Sequence, residues 1–377
     1  MSFKSIKNIN IKGKKILVRI DINSEIINGK VQDSPRFKAH AKTISYLKRK
    51  KAKVIILAHQ GSPPNNDFTS LKHHALILNK YTKLKFVNDI IGKKAINEIK
   101  NMGNGDALLL ENVRFLKDEF SPENNKFVKI LSKEADIYVN DAFSICHRNQ
   151  SSIVSFPKFL PSFIGLVMED ELENINELKS KTKNALFILG GRKTKDLIPL
   201  LKNKKILSGG ILSLLVLKAK GIKLGKEDDL LKNEFYLLKD IRPYIKNILT
   251  PIDFAVRING KRKELSLSQL PTRYQILDIG KKTIELYKKE INKSKAIFFK
   301  GAVGNTEDKG FEYGTKELLK FISKSKKFSL IAGGSSATVI ERYKINKKGF
   351  SYISLSGGAL VNYLSGKKLI GLEALRK

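Results

Sequence analysis

Cysteine is almost absent: the 377-residue chain has one, Cys146. A lone thiol excludes an internal disulfide and any cysteine-based metal cluster. Histidine is sparse too, with five residues, of which only His73 and His74 are adjacent. No apolar run reaches the ~18 residues of a membrane span. The opening stretch, Met1 to Lys14, is polar and lacks the apolar core of a signal peptide, so a cytoplasmic location without membrane attachment is expected. No Pro/Gly/Ser linker, low-complexity tract or close internal repeat interrupts the chain. Acidic residues are outnumbered: 36 Asp+Glu against 72 Lys+Arg give a net charge of +36. Such an excess can mark nucleic-acid binding. Here it reads as a lysine-rich surface, because arginine numbers only about a dozen and the lysines run along the whole chain. No RNP motif, C₂H₂ spacing or isolated basic arm appears, so nucleic acid is not an expected partner. A diffuse positive field would still speed the arrival of small anions.

What is present is one repeated unit: a short β-branched apolar run, a pause at Gly or polar residues, then a helical pattern. The runs are Lys15–Ile20, Lys53–Ala58, Ala107–Leu110 and Asp136–Val139 in the first half. The second half has Ala185–Leu189, Lys205–Leu207, Asn247–Leu249, Ala296–Phe299, Phe328–Ala332 and Tyr352–Leu355. Helical spacing of apolar residues marks Ala39–Lys48, Ser121–Lys133, Lys281–Lys289 and Thr315–Ser323. Strand–helix alternation predicts an α/β fold with two doubly wound, Rossmann-like parallel-sheet domains. At ~150 residues per domain the length fits two. The strand-free, Glu/Leu/Lys-rich stretch 167–183 is expected to be a long helix and hinge between them. The expected domains are 1–166, rejoined by the tail 362–377, and 184–361.

Ligands of open α/β sheets sit beyond the carboxyl ends of the strands. In the first half these positions carry Asp21 and Asn23, then Arg36, His59, Arg114 and Arg148. A guanidinium fork suits carboxylate and phosphate, Asp and Asn read hydroxyls, and His donates to an anion. In the second half the same positions are glycine-rich: Gly190-Gly191, Gly209-Gly210, Gly301 to Gly304, Gly333-Gly334 and Gly357-Gly358. Glycine lets backbone approach a ligand closely, and the following helix N-terminus offers N–H groups to phosphate. Neither a Walker loop nor a protein-kinase catalytic set is present.

These residues, in this order, resemble the phosphoglycerate kinase family over nearly the whole chain. Arg19-Ile20-Asp21-Ile22-Asn23 is similar to R-V-D-F-N, and Ala58-His59-Gln60-Gly61-Ser62-Pro63 to S-H-L-G-R-P with an archaeal-like Gln. Leu109 to Phe115 matches L-L-E-N-V-R-F, and Val139 to Phe143 with His147-Arg148 matches V-N-D-A-F…H-R. Leu189-Gly190-Gly191 with Lys193 and Asp196 resembles L-G-G-A-K-x-x-D. Gly357-Gly358-Ala359 and Gly371 to Leu375 resemble the closing G-G-G-A and G-V-E-A-L.

The resemblance implies reversible phosphoryl transfer from 1,3-bisphosphoglycerate to MgADP, giving 3-phosphoglycerate and MgATP in glycolysis and gluconeogenesis. It implies that Asp21, Ile22, Asn23, Arg36, His59, Gln60, Gly61, Ser62, Arg114 and Arg148 hold the glycerate. It implies nucleotide contacts from Gly191, Arg192, Lys193, Gly209, Gly210, Lys300, Glu307, Gly333, Gly334, Ser335 and Ser336. Arg36 and Lys193 are the implied catalytic residues, with hinge motion around 167–183, Mg²⁺ carried by the nucleotide and no dedicated protein metal ligands. A monomer is expected, a dimer remaining open. Several positions depart from the family: Ser62, Arg192, Leu197, Lys300, Ala302, Asn305, Thr306, Ser335, Leu355 and Ser356. In one reading Lys300 and Arg192 make good the charge lost elsewhere. In the alternative, catalysis has weakened and the chain serves as a nucleotide- or nucleic-acid-binding protein.

Overall fold

The computed structural model of the chain describes residues 3–123, 125–181, 185–202 and 205–376. It divides into two units, Met1–Leu172 with Lys367–Lys377, and Glu173–Gly366.

The first unit starts with β1 (Lys15–Arg19) and a small hairpin, β2 (Ile26–Ile27) and β3 (Lys30–Val31). Then come β4 (Lys53–Leu57), β5 (Lys85–Val87), β6 (Ala107–Leu110), β7 (Ile137–Asn140) and β8 (Ser162–Ile164). Apart from the hairpin they form one sheet, β5-β6-β4-β1-β7-β8, parallel throughout. Its four inner strands, β6, β4, β1 and β7, are buried on both faces, as helix-covered parallel strands require. The helix Pro35–Arg49 shows why its sequence folds so. Pro35 sits in the first turn, Lys48 and Arg49 in the last, and Phe37, Ala41, Ile44 and Leu47 fall on the buried side. They pack against Ile16, Val18, Val54, Ile56 and Val139 from the sheet. The order of strands reverses between β1 and β7, so the segments after these two strands meet at the switch point.

In the second unit β9 (Ala185–Leu189), β10 (Ile206–Ser208) and β11 (Ile248–Leu249) precede three strands of a different kind. These are β12 (Asp253–Ile258), β13 (Lys261–Ser266) and β14 (Ile276–Ile279), an antiparallel sheet of order β13-β12-β14. The main sheet resumes with β15 (Ala296–Lys300), β16 (Phe328–Ala332) and β17 (Tyr352–Ile353), in the parallel order β11-β10-β9-β15-β16-β17. Counted along the chain this is the 3-2-1-4-5-6 winding of dinucleotide-binding sheets. Its switch point lies between β9 and β15.

The two parallel sheets agree with the sequence pattern, whereas the antiparallel sheet was not anticipated. Its turn was readable. Asn259-Gly260 adopts φ of 49° and 72°, the left-handed pair of a two-residue hairpin. The exposed, charged Lys261–Ser266 hides the strand period. The expected helix from Ser121 begins only at Lys126, because the Asn125 side chain accepts from the Val128 N–H and caps it there.

The helix Leu166–Ser180 carries the chain from the first unit into the second. Positions 182 and 183 of the expected helix lie outside the described residues. Its start is held by one carboxylate. Asp141, directly after β7, accepts from the Val167 and Met168 N–H groups at 2.8 and 3.3 Å. Its other oxygen is 2.9 Å from His40 Nδ1, and His40 Nε2 accepts from the Asp21 N–H at 3.3 Å. His40 therefore carries its proton on Nδ1. All of these groups are buried. An Asp141→Ala variant leaves two helix N–H groups and an imidazole without an acceptor. The expected loss is about 3 kcal/mol, as for other broken buried pairs. Urea unfolding followed by circular dichroism measures it. An unshifted midpoint for the first unit would remove this anchor.

Candidate functional site

In the first unit the segments after β1, β4, β6 and β7 gather a charged cluster. Asp21 is buried and forms an ion pair with Arg36 while accepting from the Ser144 hydroxyl. Burial alone would raise its pKa, but Arg36 and Ser144 outweigh that and hold the carboxyl well below the usual range. Asn23 accepts from the Gly61 N–H at 2.8 Å. Arg114, also buried, donates to the Gly61 carbonyl, to Ser62 Oγ at 2.6 Å and to Gln150 at 3.3 Å. Its Nε has no partner among the described residues. Burial first, then the charges of Arg148 and Arg19, push it down to about 10, so it stays cationic at neutral pH. Arg148 is exposed and near enough to depress Arg114, Arg19 and His59 alike.

One contributor was not singled out from the sequence. Arg19 is fully buried and lies 3.1 Å from His59 Nδ1. A guanidinium has only donors, so Nδ1 must accept and the imidazole proton sits on Nε2. Burial, then Arg19, keep His59 well below its ordinary pKa. His59 is thus a neutral donor of fixed tautomer. Arg19 in turn is tied through Ser152, at 2.8 Å, to the buried Glu119.

Two expected contacts are spent on structure. Gln60 accepts from the Ser24 N–H and from His74, and donates back to the Ser24 carbonyl. The Ile22 side chain is fully buried, leaving only its main chain to face a ligand. Gly61 adopts φ of +61°, and a Cβ there would lie 2.4 Å from the Asp67 backbone.

In the second unit a cavity of about 680 Å³ opens at the β9/β15 switch point. Gly191, Arg192, Lys193, Gly210, Lys300, Glu307, Gly333, Gly334 and Ser335 line it. Gly209 and Ser336 do not: Gly209 packs against Val303, and the Ser336 hydroxyl is turned to the Gly301 carbonyl. The floor is backbone, because a Cβ on Gly190 would lie 2.3 Å from the Ala302 oxygen. The helix Gly334–Arg342 starts at the cavity behind Gly333, whose φ of +99° only glycine adopts freely. Its unpaired N–H groups and dipole favour an anion. Lys193, exposed, and Lys300, partly buried, add positive charge beside Asp196. Burial, then Lys193, lower the Lys300 ammonium while Asp196 opposes them. Arg192 and Glu307 form a 3.0 Å ion pair at the rim, both about three-quarters exposed.

Behind the Gly301–Glu307 wall lies a second pair unforeseen from the sequence. Buried Asp278 accepts from Arg262 at 2.7 Å and from the Gly314 N–H at 2.8 Å. Arg262 also donates to the Gly310 carbonyl. Burial lifts the Asp278 carboxyl to about 7 against the pull of Arg262. The pair ties the antiparallel sheet to the loop that bears Glu307.

Burial also pushes His74 down to about 4. A histidine depressed in the folded state stabilises the fold above its unfolded pKa, and that contribution is lost as pH falls through the folded value. His59 and His74 should therefore stay neutral in the ring-proton spectrum down to about pH 6. The first unit should lose stability from about pH 6.5 toward 4. A His59 ring that protonates near neutrality would contradict the Arg19 contact.

The family description "Phosphoglycerate kinase" matches residues 6–367. Among curated relatives, the phosphoglycerate kinase of Sulfurisphaera tokodaii is 38% identical, covering 98% of this chain and 95% of its own. That of Methanothermus fervidus is 36% identical, covering 100% and 97%. The crystal structure of phosphoglycerate kinase from Pyrococcus horikoshii superposes with a TM-score of 0.91 at 34% identity, over 99% of this chain and 98% of that one. The Coxiella burnetii enzyme gives 0.82 at 28%, over 100% and 99%. With strand order, glycine floor and arginine cluster in place, and with similarity running end to end, the chain belongs to the phosphoglycerate kinase family.

Proposed function

We infer that the protein is a phosphoglycerate kinase, moving the acyl phosphate of 1,3-bisphosphoglycerate to MgADP and yielding 3-phosphoglycerate and MgATP, reversibly. The observation that carries this is a pairing within one member of that family: a cationic cluster at one switch point and a backbone-floored cavity at the other. Nothing in the comparisons favours a nucleic-acid-binding role.

In the ATP-consuming direction the nucleophile is the carboxylate of 3-phosphoglycerate, already ionised at neutral pH, so no general base is needed. Its oxygen bonds to the γ-phosphorus as the bond to the ADP oxygen breaks. What the protein supplies is alignment and charge neutralisation. Arg114, Arg148 and neutral His59 hold the substrate phosphate and carboxyl oxygens, and Asp21 and Asn23 hold its hydroxyl side. The N-terminus of helix Gly334–Arg342 takes the nucleotide phosphates, and Glu307 takes the ribose once it leaves Arg192. Arg36 and Lys193 offset charge on the phosphoryl group in transfer. Mg²⁺ arrives as part of the nucleotide substrate, coordinated by phosphate and water. No three-residue His/Cys/Asp/Glu cluster lies among the described residues, and a phosphate-borne ion does not call for one. In this reading 1–166 with 362–377 binds the glycerate, 184–361 binds the nucleotide and 167–183 joins them. The location is cytoplasmic; no helix among the described residues is long and apolar enough to cross a membrane.

A coupled assay with 1,3-bisphosphoglycerate and MgADP tests it. Arg36→Ala and Lys193→Ala should each lower kcat by roughly a hundred-fold or more, with circular dichroism unchanged. Wild-type turnover no faster than that of the Lys193→Ala variant would sink the assignment, and a near-normal Arg36→Ala rate would remove Arg36 from the mechanism.

A further inference from the structure

The cavity of the second unit is chemically two-ended. Lys193, Lys300 and the start of helix Gly334–Arg342 supply one set of lining groups. The other set comes from different elements: Leu214, Leu230, Leu231, Phe254 and Ile276. Leu214, Leu231, Phe254 and Ile276 belong to an apolar cluster built on the antiparallel sheet and the helix Gly210–Ala219. Phosphates belong with the cations and free N–H groups, so a nucleobase is left the apolar side.

One group there is out of character. Glu227 is 3% exposed and lines the cavity amid these leucines. One carboxyl oxygen accepts from the Ile276 N–H at 2.7 Å. The other has no hydrogen-bond partner among the described residues. That second oxygen is not sealed off from the cavity, so a bound base that covers it must supply a donor in place of water or leave it unpaired. A ligand donor would satisfy the rest. Burial raises the Glu227 carboxyl above its ordinary value, while the Ile276 N–H and Lys226 oppose the rise.

We propose that Glu227 is a specificity-determining residue that selects nucleotides whose base presents an exocyclic amino group, accepting a hydrogen bond from it at the apolar end of the cavity. Adenine meets that requirement. Hypoxanthine, with an exocyclic carbonyl oxygen in place of the amine, sets acceptor against acceptor. The inference rests on the reading of this cavity as the nucleotide site.

Calorimetric titration of the full chain with MgADP and MgIDP tests it without any variant. The expected Kd ratio favours ADP by about ten-fold or more, the usual penalty for a buried polar group left unpaired. Glu227→Gln keeps an acceptor for the Ile276 N–H and adds an amide donor that suits the carbonyl oxygen of hypoxanthine. Its ratio should fall toward unity, mainly through tighter IDP binding, with the fold checked by circular dichroism. Equal ADP and IDP affinities in the wild type, or an unchanged ratio in the variant, would overturn the proposal. The kinase reading fails separately, by absence of turnover in the coupled assay, while the binding ratio still reports on Glu227.

Discussion

Much of the first unit hangs on the carboxylate of Asp141. It emerges from β7 at the switch point, where two chain segments must turn away without disordering the loops between them. One oxygen ends the orphaned N–H groups of the helix Leu166–Ser180, and the other orients His40. His40 passes that constraint to the Asp21 main chain, and Asp21 holds Arg36. The anion-reading loop is thus fixed from beneath by buried polar groups, each satisfied by the next. Such a chain is rigid because any break strands a donor or acceptor away from water.

Under the proposed function the two units would handle anions by different physics. In the first, burial and the neighbouring Arg148 lower the basicity of Arg19 and Arg114, Arg19 lowers that of Arg114 further, and Glu119 and Asp21 oppose them. An incoming polyanion relieves that repulsion, so the free protein is held in a state that favours the ligand. His59 avoids adding to the repulsion by staying neutral while still offering a proton. In the second unit fewer full charges act. Under the proposed function, main-chain N–H groups and a helix dipole would take the phosphates, with Lys193 and Lys300 at their side.

The fold class was legible because parallel strands read as apolar runs, and the residues at their ends stood out as Gly, Arg or Asp. The β-branched core of β1, β4, β9 and β15 leaves little doubt of type. Three things were not legible. The antiparallel sheet escaped because exposed β13 is mostly charged, although Asn259-Gly260 announced its turn. Partnerships escaped because spacing says nothing about who meets whom: Arg19 with His59, Arg262 with Asp278 and Gln60 with Ser24 are tens of residues apart in two cases and sixteen in the other. Side-chain direction escaped too, so Ile22 and Ser336 look like lining residues until their burial is seen.

The glycine contact between the ends of β9 and β15 has a bearing on how such a chain changes over time. Where Gly190 meets Ala302, the ligand-facing surface is made of peptide groups, and peptide groups are the same in every sequence. As long as the glycines that permit the approach persist, the recognition they provide is indifferent to replacements around them. Arg192, Asn305 and Ser335 line the cavity around that floor. Substitutions at the rim of the cavity can therefore change its side chains while its peptide floor stays the same.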